Sequence, residues 1–149
     1  MSVSLKQAIE WCKKVMHGTP EIDEFEGIFA CESPAWYIEG KLKGNRVDLD
    51  YYDSAYLSGA DAYEEMRDMF GRVRAISLAD ISIPIPDRKE LMDQLVAEGI
   101  PFTFKKSTWY GPAKIYVPAE YYPEAMEIIN RLKSKIRREI EMEMERGLY

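Results

Sequence analysis

Lys43-Gly44-Asn45-Arg46 constrains the fold of this 149-residue chain more than any other segment. Gly-Asn between two runs of alternating polar and apolar residues predicts a two-residue hairpin turn, because both residues tolerate positive φ. If Lys43 and Arg46 close the turn, the register follows. Leu42 faces Val47, Lys41 faces Asp48, Gly40 faces Leu49, Glu39 faces Asp50, Ile38 faces Tyr51 and Tyr37 faces Tyr52. Strand side chains alternate between faces. Trp36, Ile38, Gly40, Leu42, Val47, Leu49 and Tyr51 therefore form an apolar face. Tyr37, Glu39, Lys41, Asp48, Asp50 and Tyr52 form a polar one.

Periodicity places the other elements around this hairpin. Leu5, Ala8, Ile9, Cys12, Val15 and Met16 share a helical face between Ser4 and Met16, and His17-Gly18-Thr19-Pro20 ends that helix, with Gly18 suited to the left-handed cap. An acidic loop follows, then strands over Gly27–Cys31 and Ala35–Leu42. A second helix runs from Ala60 or Asp61 to Phe70, burying Tyr63, Met66 and Phe70 and stopping at Gly71. Ala75–Ile85 holds a strand, clearest at Ile81–Ile85. A third helix starts at Asp87, with Glu90 completing a capping box, and stops at Gly99. Phe102–Lys105 and Ala113–Val117 make a strand pair around a longer loop, and a last helix starts near Pro123 and runs past Arg138.

The order is helix, three strands, helix, then strand–helix–strand–strand–helix. It predicts an α+β fold, an antiparallel sheet with helices packed on one face. The length fits one domain over residues 1–149, with an acidic helix-and-hairpin half at 1–71 and a second half at 80–149.

Charge and cysteine content narrow the function classes. The chain carries a net charge of −6, which disfavours direct nucleic-acid binding or an anionic membrane surface. The charge is unevenly spread: residues 18–70 hold thirteen acids and four bases, net −9, leaving +3 for the remainder. No run of 18 apolar residues exists to span a membrane, and no signal-peptide pattern opens the chain. Two cysteines are too few for a disulfide framework or, alone, for a zinc quartet. Cys12 and Cys31 read as small core hydrophobes, and unmatched thiols point to a cytoplasmic location. His17, the single histidine, reads as a cation at a helix C-terminus. No cofactor is implied.

From Ile81 to Leu132 the punctuation is specific. A strand precedes Leu91 and Leu95 on a helix, then come Gly99-Ile100-Pro101, a strand ending Val117-Pro118, and a helix bearing Ala125, Ile128, Ile129 and Leu132. This third of the chain resembles one half of a ferredoxin-like or PII-like fold. More narrowly, it resembles the DUF2007 family, described as signal-transducing proteins. The resemblance implies a ferredoxin-like strand-helix-strand-strand-helix unit. It departs from nucleotide-binding PII proteins in lacking a lysine- and glycine-bearing nucleotide loop.

Three surface features carry chemistry. On the hairpin's polar face Glu39 and Asp50 oppose each other, two like charges that repel. Tyr37 and Tyr52 lie beside them, with Asp48 and Asp53 near in sequence. Acids with aromatic rings capture cations; a solvated acidic face and acid–base catalysis are the competing readings. The second feature is Ser107–Pro112, where Trp109 and Tyr110 sit among Lys105, Lys106 and Lys114, suited to an interface hot spot, to stacking on a base beside a held phosphate, or to folding back over the sheet edge. The third is the C-terminal helix. Leu132, Ile136, Ile140 and Met144 recur every four residues, with Lys135/Glu139 and Arg137/Glu141 as i,i+4 pairs. That helix either packs across the domain, ends in solvent, or covers a second subunit as a homodimer.

The expected function is a non-enzymatic inhibitory or regulatory protein. It would meet a protein partner of basic surface through Tyr37, Glu39, Asp48, Asp50, Tyr52 and Asp53, together with Trp109 and Tyr110. Two alternatives are a regulatory domain binding a small cationic ligand in a cleft between the halves, lined by Trp36 or tyrosines, and a metal-dependent hydrolase using Glu39, Asp48 and Asp50.

Overall fold

The computed structural model describes residues 2–34, 36–50, 59–78, 85–107 and 111–147. The expected antiparallel α+β architecture is present, built from two sheets. The first is five-stranded: β1 (Val3–Ser4), β2 (Thr19–Asp23), β3 (Ile28–Glu32), β4 (Tyr37–Lys43) and β5 (Arg46–Asp50), in spatial order β1-β5-β4-β3-β2. The second is three-stranded: β6 (Val73–Ser77), β7 (Thr103–Ser107) and β8 (Gly111–Pro118), in order β6-β8-β7. The helices are α1 (Leu5–Glu10), continued by a π-helical turn at Trp11–Val15, then α2 (Gly59–Phe70), α3 (Ile85–Ala97) and α4 (Tyr122–Glu145).

The hairpin has the register its turn dictates, from Lys43↔Arg46 to Glu39↔Asp50. Gly44 alone takes positive φ, at 65°, the arrangement of a II′ turn, which needs glycine only at its first central position. Ile38, Gly40, Val47 and Leu49 are buried. Gly40 is required by space, since a Cβ there would stand 2.9 Å from the Asp48 carbonyl oxygen and 3.0 Å from Leu49 Cα.

Several elements differ from expectation, each for a physical reason. The acidic stretch after the first helix is an edge strand, β2, paired with β3 from Thr19↔Glu32 to Asp23↔Ile28. With Pro20, two acids and a half-exposed Ile22 it has no apolar alternation to reveal it, and proline is tolerated only at such edges. At the end of the first helix His17 takes positive φ (54°), while Gly18 is needed for room. A Cβ at Gly18 would meet the Glu32 carbonyl oxygen at 2.8 Å and both cysteine sulfurs near 3 Å. Ile85 opens α3 rather than ending a strand, and residues 81–84 of that expected strand lie outside the described residues. The strand before α3 is instead Val73–Ser77.

Cys12 and Cys31 are buried as expected, but they are bonded to each other. The disulfide ties the π turn to β3 across a sequence separation of 19. The thiols are therefore not unmatched, which removes the cysteine-based reason for placing the chain in a reducing compartment.

The βαββα order and the β6-β8-β7 sheet are the expected ferredoxin-like arrangement of the C-terminal half. Arg74 on β6 lies 4.0 Å over the Tyr122 ring at the start of α4, whereas Tyr63 of α2 meets Tyr116 of β8 edge-on. One buried cluster runs through both sheets. Its centre is aromatic: Trp36 packs on Phe102 and Phe104 with ring centroids 5.5 and 5.0 Å away, and Trp11 meets Trp36 edge-on. Each indole is satisfied by a backbone carbonyl near the start of β7. Trp11 Nε1 donates to Ile100 O and Trp36 Nε1 to Phe102 O, both at 3.0 Å. Among the described residues no helix is long and apolar enough to cross a membrane.

Candidate functional site

The registers of β2, β3, β4 and β5 set out the outer face of the first sheet as rows of cross-strand neighbours. The central row reads Glu21, Ala30, Glu39, Asp50; below it lie Asp23, Ile28, Lys41, Asp48, and above it Thr19, Glu32, Tyr37. Neighbouring strands are about 4.8 Å apart, so the Glu21 and Glu39 backbones stand about 10 Å from each other with only alanine between them. This small side chain leaves a groove of about 720 Å³ lined by Glu21, Ile22, Asp23, Glu24, Ile28, Ala30 and Tyr37.

Tyr37 is the electrostatic centre of the face. Its hydroxyl donates to Glu39 Oε1 at 2.6 Å. That hydrogen bond, partial burial, and the charges of Glu39, Glu21 and Glu32 push its pKa up to about 12. Ionising the phenol would place a fourth negative charge among three carboxylates.

Asp48 plays a different part from the one expected. It faces Lys41 in register, but its carboxylate is ion-paired with Lys89 of α3 and lies 3.6 Å from Lys43 Nζ. Desolvation alone would raise its pKa. The Lys89 hydrogen bond and the two lysine charges outweigh this and hold it below the usual carboxylate value. Two ammonium groups on Asp48 offset the charge that would attract a divalent cation. Among the described residues no group of three or more His, Cys, Asp or Glu side chains is placed to hold a metal.

Of the expected site residues, the sheet brings Tyr37, Glu39 and the Asp50 backbone together; Tyr52, Asp53, Trp109 and Tyr110 lie outside the described residues. Trp36 does not line a cleft between the halves, being 1% exposed and packed into the aromatic centre that joins them.

Sequence reasoning missed the β2–β3 hairpin. Phe25 at its tip is 95% exposed, with Ile22 and Ile28 partly exposed at its base. Glu24 and Glu26 flank Phe25, and the Glu26 amide is held by Asp23 Oδ1 at 3.0 Å. An aromatic residue between two acids, with Asp23 and Gly27 rather than apolar residues at i±2, was the available signal.

Set against known proteins, the chain matches no family model, no curated protein and no solved structure.

Proposed function

We propose that this chain is a non-enzymatic binding protein of inhibitory or regulatory type, which docks the basic surface of a protein partner on the outer face of its first sheet. The observation that carries this reading is the setting of Tyr37 on this face: its hydroxyl donates to Glu39, Glu32 is its cross-strand neighbour, and Glu21 stands across Ala30 from Glu39, so like charges gather around the ring. A partner's lysine or arginine entering the groove relieves that repulsion and stacks on the phenol ring. Phe25 adds the apolar anchor that interfaces place inside a charged rim. The regulatory part of the reading also draws on the resemblance of residues 81–132 to signal-transducing proteins.

The test is affinity purification from the native host, with Glu39→Lys/Asp50→Lys beside the wild type. A defined complex with a basic protein should be lost in the variant at unchanged melting temperature. A complex that survives both reversals removes this face from the interface.

The groove favours a second reading, a regulatory domain that binds a small cation on the sheet face. A thermal shift with aromatic amines that Tyr37→Phe abolishes would support it. Cytoplasmic location belongs to the proposal too, and the Cys12–Cys31 bond weighs against it, since such bonds persist mainly in oxidising compartments. Cell fractionation decides between them.

A further inference from the structure

α4 outruns the core it packs on. Ala125, Ile128, Ile129, Leu132 and Ile136 are its buried residues, and nine residues, 137–145, continue for about 14 Å beyond the last of them. The extension is a finished helix end. The Gly147 amide donates to Met144 O at 3.0 Å with φ of 73°, a left-handed glycine cap. Its apolar stripe also continues, because Ile140 is one turn beyond Ile136 and Met144 one turn further, 45% and 60% exposed. Apolar residues on a helix face normally stop where burial stops.

Charge is divided along the same segment. Arg131, Lys133, Lys135, Arg137 and Arg138 occupy one stretch without an acid, and Glu139, Glu141, Glu143 and Glu145 occupy the next without a base. The acids therefore crowd the negative end of the helix dipole, where the next base, Arg146, stands only at the C-cap. Within the helix, a base four residues before an acid, as Arg137 stands to Glu141, is the weaker i,i+4 orientation. Lys135 reaches across to Glu90 of α3 instead.

We propose that the extension of α4 pairs antiparallel with the same segment of a second copy of this chain, about a two-fold axis passing near Ile140. A two-fold contact must be self-complementary, and a helix basic in one half and acidic in the other meets that condition only when antiparallel. Ile140 packs on Ile140 of the second copy, Met144 covers its flank, and Arg137 faces its Glu141. The second copy's bases also bring positive charge to the four glutamates of this segment. The overlap is shorter than a standard interface, so the dimer is weak, with a dissociation constant between about 10 μM and 1 mM. This inference is independent of the acidic sheet face, because it concerns a different surface and another occupant.

Sedimentation velocity of the full chain across that concentration range tests it. The expected result is a reversible monomer–dimer equilibrium that weakens as salt is raised. Arg137→Glu alone should weaken association about tenfold or more, and Arg137→Glu/Glu141→Arg should restore it. Under mild oxidation Ile140→Cys should cross-link to itself, whereas Met142→Cys, on the far side of the helix, should not. A monomer at every concentration overturns the proposal. So does a dimer that both charge variants leave intact, or one in which positions 140 and 142 cross-link equally.

Discussion

Tyr37 and Asp48 show how two residues on one sheet face acquire opposite electrostatic environments. Asp48 sits beside α3, where Lys89 reaches it; Tyr37 is surrounded by carboxylates. Because the Tyr37 pKa is raised from 10.0 to about 12, the folded protein holds that proton more tightly than the unfolded chain. The resulting stability is fully present below the unfolded value and is lost as pH rises through the folded one. Glu39→Gln removes the charged acceptor. The phenolate absorbance difference between this variant and its Tyr37→Phe counterpart should show Tyr37 titrating well below its wild-type value, nearer 10. An unchanged titration would mean that Glu39 does not govern the phenol. The pairing of Glu39 with Asp50 was legible from the turn alone. The Lys89 contact was not, because Lys89 and Asp48 are 41 residues apart and only the docking of α3 joins them.

At the scale of elements, the π turn and β3 are held by the one covalent link that local pattern does not announce. Cys12 and Cys31 lie on inward faces, and an inward cysteine reads the same in a sequence whether bonded or free. Closing a 19-residue separation restricts the unfolded chain by about 3 kcal/mol in the loop-entropy account. Cys12→Ser/Cys31→Ser should therefore melt roughly 6–12 °C lower, and the wild type under reductant in mild denaturant should approach it. Equal melting of variant and oxidised wild type would show that the bond does not contribute. β2 was illegible for a related reason: an edge strand with one apolar residue is specified by its neighbour's unpaired backbone rather than by its own side chains.

For the molecule as a whole, the acid-rich hairpin region and the C-terminal βαββα unit share one core. Trp36 links them by ring contacts with Phe102 and Phe104 and by its hydrogen bond to Phe102 O. Trp36→Ala should cost about 3–5 kcal/mol, and it should lower the far-ultraviolet and near-ultraviolet circular dichroism transitions together. Two separated transitions in the wild type would instead mean two independently folding halves.

The sequence by itself determined the hairpin register, the order of most helices and strands, and the segregation of charge. Each depends on turn chemistry, side-chain period or residue count within a few neighbours. Tertiary structure alone decided which acids stay together and which are neutralised. It also paired the cysteines, sent Trp36 to the junction, and left Phe25 and the end of α4 without cover. Those outcomes depend on contacts between distant segments, whose geometry exists only once the two sheets have closed on a common core.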